Sequence, residues 1–163
     1  MKNTAVIICA GGAGTRFGGK MKKPFVEVSG RPAFLRSVDF FADREEVKQI
    51  LVAIPEEEEE LAKLKWEDTM TFMGAKFCRG GRERFETVAK AIELLNDDIE
   101  MIAVHDAVRC CLTDKWIDDL FAKAGKTGAA MLACPVVATI KKVEDDKVVD
   151  TVDRSGLYEA QTP

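Results

Sequence analysis

A chain of 163 residues, 47% hydrophobic and 32% charged, has the length and composition of one globular domain and is too short for two independent ones. Its 24 Lys and Arg against 28 Asp and Glu leave a net charge of −4, which excludes the basic balance of a non-specific nucleic-acid binder. No apolar run reaches the ~18 residues of a membrane-spanning helix, and the N-terminus "MKNTAVIICAGG" lacks the long apolar segment of a signal peptide. A cytoplasmic chain with no membrane or nucleic-acid partner is therefore expected. The five cysteines (Cys9, Cys78, Cys110, Cys111, Cys134) are odd in number and form no C-x-x-C pair, which reads as reduced thiols.

In chain order, "TAVIICA" (4–10) is expected to form a fully buried strand. "RPAFLRSVDFFA" reads as a helix with Pro32 near its first turn and Phe34, Leu35, Val38 and Phe41 along one face. "QILVAIP" (49–55) is a second buried strand closed by proline, and "EEEEELAKLKW" a surface helix whose acidic start is solvated. "AKFCRGG" gives a short strand running into a glycine turn. "RFETVAKAIELL" gives a helix with Phe85, Val88, Ala89, Ile92 and Leu95 on its apolar face. "EMIAVHDAV" is a strand, "DKWIDDLFAKAG" a helix and "AAMLACPVV" a strand. This alternation predicts an α/β fold: a Rossmann-like, three-layer, mostly parallel sheet with helices on both faces. Residues 138–156 break the rhythm, with two β-rich arms around "EDD" and no helix between them, so a projecting β-hairpin is expected.

The stretch "AGGAGTRFGGKMKKPF" (10–25) packs five glycines and four basic residues directly behind the first strand. Glycines let successive backbone N–H groups point into one concavity, and fixed cations suit a triphosphate. Two standard phosphate motifs fail here. Gly14-x-x-x-x-Gly19-Lys20 has Met21 where a P-loop has Ser or Thr, and Gly12-x-Gly14 is followed by Phe17 instead of a third glycine. His105 is the single histidine and reads as a structural hydrogen-bonding residue; without a second histidine, Cys110 and Cys111 read as packing thiols.

"AGGAGTRF" resembles the A-[AG]-G-x-G-x-R-[MF] loop of nucleotidyltransferases, continued by Phe25, Gly30 and Pro32. Where those enzymes have Pro-Lys, this chain has Lys22-Lys23, which makes Lys23 the candidate catalytic lysine, with Lys22 and Lys20 as alternatives. Three further motifs resemble the 2-C-methyl-D-erythritol 4-phosphate cytidylyltransferase family. Gly80, Gly81, Arg84, Thr87 and Val88 fit G-G-x-x-R-x-x-S-V, with threonine for serine. His105 to Arg109 fit H-D-A-[AV]-R-P, with Cys110 for proline. "TIKKV" and "TVDRSGLYEAQTP" fit the final segments, with Ala138 standing where the family has aspartate.

The resemblance covers residues 4–163 and implies a single nucleotidyltransferase domain spanning 1–163. It implies transfer of CMP from CTP to methylerythritol phosphate, with release of pyrophosphate, in non-mevalonate isoprenoid biosynthesis. The competing readings are a ribitol 5-phosphate cytidylyltransferase and a nucleotide-binding homologue without turnover. The implied catalytic residues are Arg16 and Lys23. Ala10, Gly11, Gly12, Gly14, Gly80, Gly81, Arg84 and Thr87 would bind the nucleotide. Asp106, Arg109, Thr139 and Arg154 would bind substrate, with Asp106 also holding Mg2+. The arm, about residues 137–156, would join a homodimer and lend Thr139 and Arg154 to the neighbouring subunit's site. The family's sequence runs on past this Thr-Pro, so the chain is expected to lack the C-terminal part of the family fold.

Overall fold

The computed structural model describes residues 2–11 and 22–161. The first strand, β1 (Thr4–Cys9), is buried along almost its whole length. A two-stranded hairpin follows, β2 (Glu27–Val28) and β3 (Arg31–Pro32), turned by Ser29 and Gly30, both at positive φ (51° and 74°). That pair of left-handed residues is what a tight hairpin requires. Pro32 therefore ends a short strand and caps the helix that begins one residue later, α1 (Ala33–Ala42), next to its first turn as expected.

The remaining elements are β4 (Val47–Ile54), α2 (Glu59–Phe72), β5 (Ala75–Arg79), α3 (Arg84–Ile92), β6 (Met101–Asp106), α4 (Asp114–Thr127), β7 (Leu132–Pro135), β8 (Ile140–Glu144), β9 (Lys147–Val152) and β10 (Tyr158–Gln161). Four strands form the central sheet in the order β5-β4-β1-β6, and every pairing is parallel. Side chains alternate across β1. Val6 and Ile8 face a core built with Phe34, Leu35, Val38 and Phe41 of α1, Ala62 and Met70 of α2, and Ile117 of α4. Ile7 faces the opposite way, toward Leu51, Ala53, Cys78 and Ala91 of α3. Helices therefore cover both faces, as expected, with three on one side and α3 on the other.

Two expectations need correction. The segment 129–137 yields only β7, which joins no central strand; it pairs antiparallel with β10. The arm formed by β8 and β9 reverses the chain, so the segment leaving the arm returns alongside the one that entered it. The second correction concerns α3. Phe85 is 72% exposed and Ile92 44%, while Thr87 and Ala91, one turn apart, are the buried pair. Small side chains let α3 approach the sheet closely, and the large ones lie on its outer side. The arm itself is a two-stranded hairpin turned by Asp145 and Asp146, both at positive φ, and its residues are mostly exposed.

Candidate active site

The register of the parallel sheet brings four strand ends level. Cys9 is paired with Ala53 on one side and Asp106 on the other, and Ala53 is paired with Cys78. The loops leaving this edge carry the candidate residues, at the carboxyl end of the sheet where open α/β folds hold ligands. Ala10 is fully buried and its N–H donates to Ala53 O at 2.8 Å, which extends the β1–β4 ladder to the point where the glycine-rich stretch begins. At Gly11 the space where a Cβ would stand is open. Gly12, Gly14, Arg16 and Lys20 lie outside the described residues.

On the other side of the edge, Gly80 N–H donates to Ile54 O at 2.8 Å and Gly81 N–H to Thr87 Oγ1 at 2.9 Å. Gly81 is the tighter position: a Cβ there would stand 2.4 Å from Glu86 Cβ. Glu86 is committed, because its carboxylate accepts the N–H of Arg82 and Glu83 and closes a reciprocal capping box with Glu83 at the start of α3. Glycine is thus required by packing, and the Thr87 hydroxyl fastens the glycine turn to the helix.

Asp106, the last residue of β6, stands between two guanidiniums. Arg84 Nη2 donates to its Oδ1 at 3.1 Å, and Arg109 Nε to its Oδ2 at 3.2 Å. The Asp106 side chain is 27% exposed, against 50% for Arg84 and 42% for Arg109, so the carboxylate is the inner partner and the guanidiniums face outward. The loop behind them is held by buried Ser37, whose hydroxyl donates to Ala107 O at 2.9 Å. Sequence reasoning passed over Ser37; its signal was a lone hydroxyl within the apolar face of α1. His105 is fully buried edge-on against Phe41, with centroids 5.5 Å apart, which agrees with a structural role.

Beneath Asp106, burial raises the Cys9 thiol above its ordinary value; Arg84 opposes that effect and Asp106 adds to it. Burial first, and Cys9 second, push Cys78 up to about 11. Neither thiol is a nucleophile in this setting.

Lys23 opens a short 3-10 turn, Lys23–Phe25, and is half-buried. Its neighbour Lys22 reaches Glu57 at 2.6 Å and Glu58 at 3.3 Å. Arg79, next to Gly80, reaches Glu56 at 2.9 Å and also pairs with Glu59. The acidic run leads into α2 as expected, with Glu56 and Glu57 mostly exposed, and it also carries these ion pairs. Thr139 and Arg154 are both exposed at the base of the arm, where Arg154 Nη1 donates to Val137 O. The described hydrogen bonds of the arm stay within residues 136–157.

The sequence profile of IspD, 2-C-methyl-D-erythritol 4-phosphate cytidylyltransferase, matches residues 4–163. A cytidylyltransferase of that name from Endomicrobium trichonymphae is 42% identical over 164 residues, covering 100% of this chain and 72% of the relative. Another, from Carboxydothermus hydrogenoformans, is 37% identical and is covered over 70% of its length. The crystal structure of 4-diphosphocytidyl-2C-methyl-D-erythritol synthase from Anaerococcus prevotii superposes with a TM-score of 0.82 at 24% identity, covering 99% of this chain and 68% of that one, a likeness of fold. The chain spans about seven tenths of the length of these relatives. With the profile matched from the first strand to the last residue, the chain belongs to the 2-C-methyl-D-erythritol 4-phosphate cytidylyltransferase family.

Proposed function

We propose that this chain transfers CMP from CTP to 2-C-methyl-D-erythritol 4-phosphate, releasing pyrophosphate, as a step of isoprenoid precursor biosynthesis in the cytoplasm. The observation that carries the reading is the Asp106 carboxylate set between Arg84 and Arg109 at the level of the Gly11 and Gly80–Gly81 loops. One edge of the sheet thus brings together guanidiniums that suit phosphates and a close-packed glycine turn against which a base can lie. No helix among the described residues is long and apolar enough to cross a membrane.

In the proposed reaction an oxygen of the methylerythritol phosphate attacks the α-phosphorus of CTP in line, and pyrophosphate leaves from the opposite side. The attacking phosphate is already an anion, so no strong base is needed, and the protein contributes position and positive charge. Lys23, with Arg16, would stabilise the charge gathering on the α-phosphate. Arg109 presents a planar fork to the substrate's phosphate. Thr139 and Arg154, exposed on the arm, would reach that phosphate in the second subunit of a homodimer.

The donor set fits a magnesium ion that arrives on the nucleotide. No group of three His, Cys, Asp or Glu able to hold a metal by itself occurs among the described residues. Asp106 supplies a carboxylate whose oxygens can each accept more than one contact, and magnesium binds through one or two carboxylates plus substrate phosphates. When bound, the ion would offset charge on the leaving pyrophosphate.

The test is pyrophosphate release from CTP and magnesium with methylerythritol phosphate or ribitol 5-phosphate, on the wild type and Lys23→Ala. Release with methylerythritol phosphate alone, and a loss of at least ~100-fold in Lys23→Ala with unchanged circular dichroism, is expected. Equal rates on ribitol phosphate would overturn the substrate assignment, and normal turnover in Lys23→Ala would overturn the role of Lys23.

A further inference from the structure

The residues next to both proposed nucleotide contacts are held by one acidic turn. Lys22, adjacent to Lys23, pairs with Glu57 and Glu58; Arg79, adjacent to Gly80, pairs with Glu56 and Glu59. Four consecutive carboxylates, Glu56 to Glu59, at the junction of β4 and α2 thereby divide between the two segments. We infer that this turn is a positioning element: through Lys22 it sets Lys23, and through Arg79 it sets Gly80 and Gly81, so that the phosphate and base contacts for CTP are held at one spacing. The inference rests on the nucleotide reading proposed above.

Three observations support it. First, the Lys22–Glu58 half of the latch is sheltered, with side chains 27% and 24% exposed, while Glu57 closes it from the solvent side at 68%. Second, although desolvation alone would lower the Lys22 pKa, hydrogen bonds to Glu57 and Glu58 outweigh it and the net direction is up. Third, Lys22 has φ −66°, the angle that a proline ring would fix. Where related nucleotidyltransferases have proline before the lysine, this chain reaches the same backbone angle at Lys22 and ties its side chain to Glu57 and Glu58.

The sign of the electrostatics makes the inference testable. Removing acidic charge beside a triphosphate site relieves repulsion, so carboxylates that only faced solvent would leave CTP affinity unchanged or improve it when neutralised. A latch predicts the opposite. The affinity for CTP with magnesium should be measured by calorimetry on the wild type, Glu57→Gln/Glu58→Gln, Lys22→Met and the triple variant, with thermal unfolding followed in parallel.

The expected result is about fivefold weaker CTP binding in both Glu57→Gln/Glu58→Gln and Lys22→Met, with the triple variant no weaker than either. Lys22→Arg keeps the pair and stays near wild type. CMP, which lacks the β- and γ-phosphates, is weakened less than CTP by the Lys22 latch variants and as much as CTP by Arg79→Met. If Lys22 touched the phosphates directly, Lys22→Met alone would weaken binding and the glutamine pair would not; that outcome overturns the inference. So does unchanged or tighter binding in Glu57→Gln/Glu58→Gln while the wild type binds CTP. A wild type that binds no CTP would overturn the nucleotide reading itself.

Discussion

Arg84 and Asp106 meet at 3.1 Å across the carboxyl edge of the sheet, joining the first residue of α3 to the last residue of β6. The pair commits Nε and Nη2 of Arg84 to one carboxylate oxygen and, in the proposed reading, leaves its remaining N–H groups for a phosphate. Arg109 is held by the other oxygen of the same carboxylate, so one side chain sets the direction of two cations. Asp106→Asn keeps the shape and removes the charge. Turnover should fall by about 100-fold, because preorganised charge accounts for much of the catalysis in such sites. Stability should change by less than about 1 kcal/mol, since both guanidiniums are substantially exposed. Pyrophosphate release and a thermal melt measure the two quantities; wild-type turnover would remove Asp106 from the site.

Gly81 and Thr87 give a prediction about packing. Alanine at Gly81 would drive its methyl group into Glu86, whose carboxylate caps the neighbouring backbone. Overpacking of this kind costs about 1–3 kcal/mol, and it would also displace the glycine turn that is proposed to face the base. Gly81→Ala should therefore lower both the urea midpoint and CTP affinity. Thr87→Ser retains the acceptor for Gly81 N–H and should stay near wild type, whereas Thr87→Val leaves that donor unmet at a cost of about 1–3 kcal/mol. A Thr87→Val protein as stable as wild type would refute the fastening role.

The sequence was most legible where one physical rule dominated. Strand β1 and the apolar face of α1 follow from unbroken hydrophobic runs, and the arm from two β-rich segments around a tight turn. It misled where two rules competed. In α3 the large apolar residues predicted the buried face, yet Thr87 and Ala91 occupy it because the helix must approach the Gly81 turn closely. The motifs located Asp106, Arg84 and Arg109 but could not show that the first holds the other two, because that contact depends on the strand register. The ion pairs of Glu56 to Glu59 were not legible because their partners, Lys22 and Arg79, are more than twenty residues away in most pairings and meet them only in the fold.

Ser37 supplies a prediction that separates stability from chemistry. Its buried hydroxyl donates to Ala107 O, and Ala107 follows Asp106 directly. Ser37→Ala removes the donor and leaves a buried carbonyl, at a cost of about 1–2 kcal/mol in chemical denaturation. The two arginine pairs remain, so CTP affinity should fall by less than about fivefold. A large loss of affinity with no loss of stability would assign Ser37 a direct part in binding.

Cys78 contributes a pH dependence to stability on the alkaline side. Its thiol ionises near 9.0 in an unfolded chain and at about 11 in the fold, where burial disfavours the thiolate. Between those values the folded state binds more protons than the unfolded one, so stability is complete below about pH 9.0 and declines as pH rises toward about 11. The loss attributable to this group is about 3 kcal/mol across that window. The comparison that isolates Cys78 is the pH slope of wild type against Cys78→Ala in urea unfolding. The variant begins less stable, having lost buried volume, but its stability should fall less steeply above pH 9.0. Alkylation at pH 8 provides an independent check: exposed Cys111 and Cys134 should react while Cys78 stays protected until the chain unfolds. Parallel slopes together with ready alkylation of native Cys78 would show that the thiol is neither buried nor shifted.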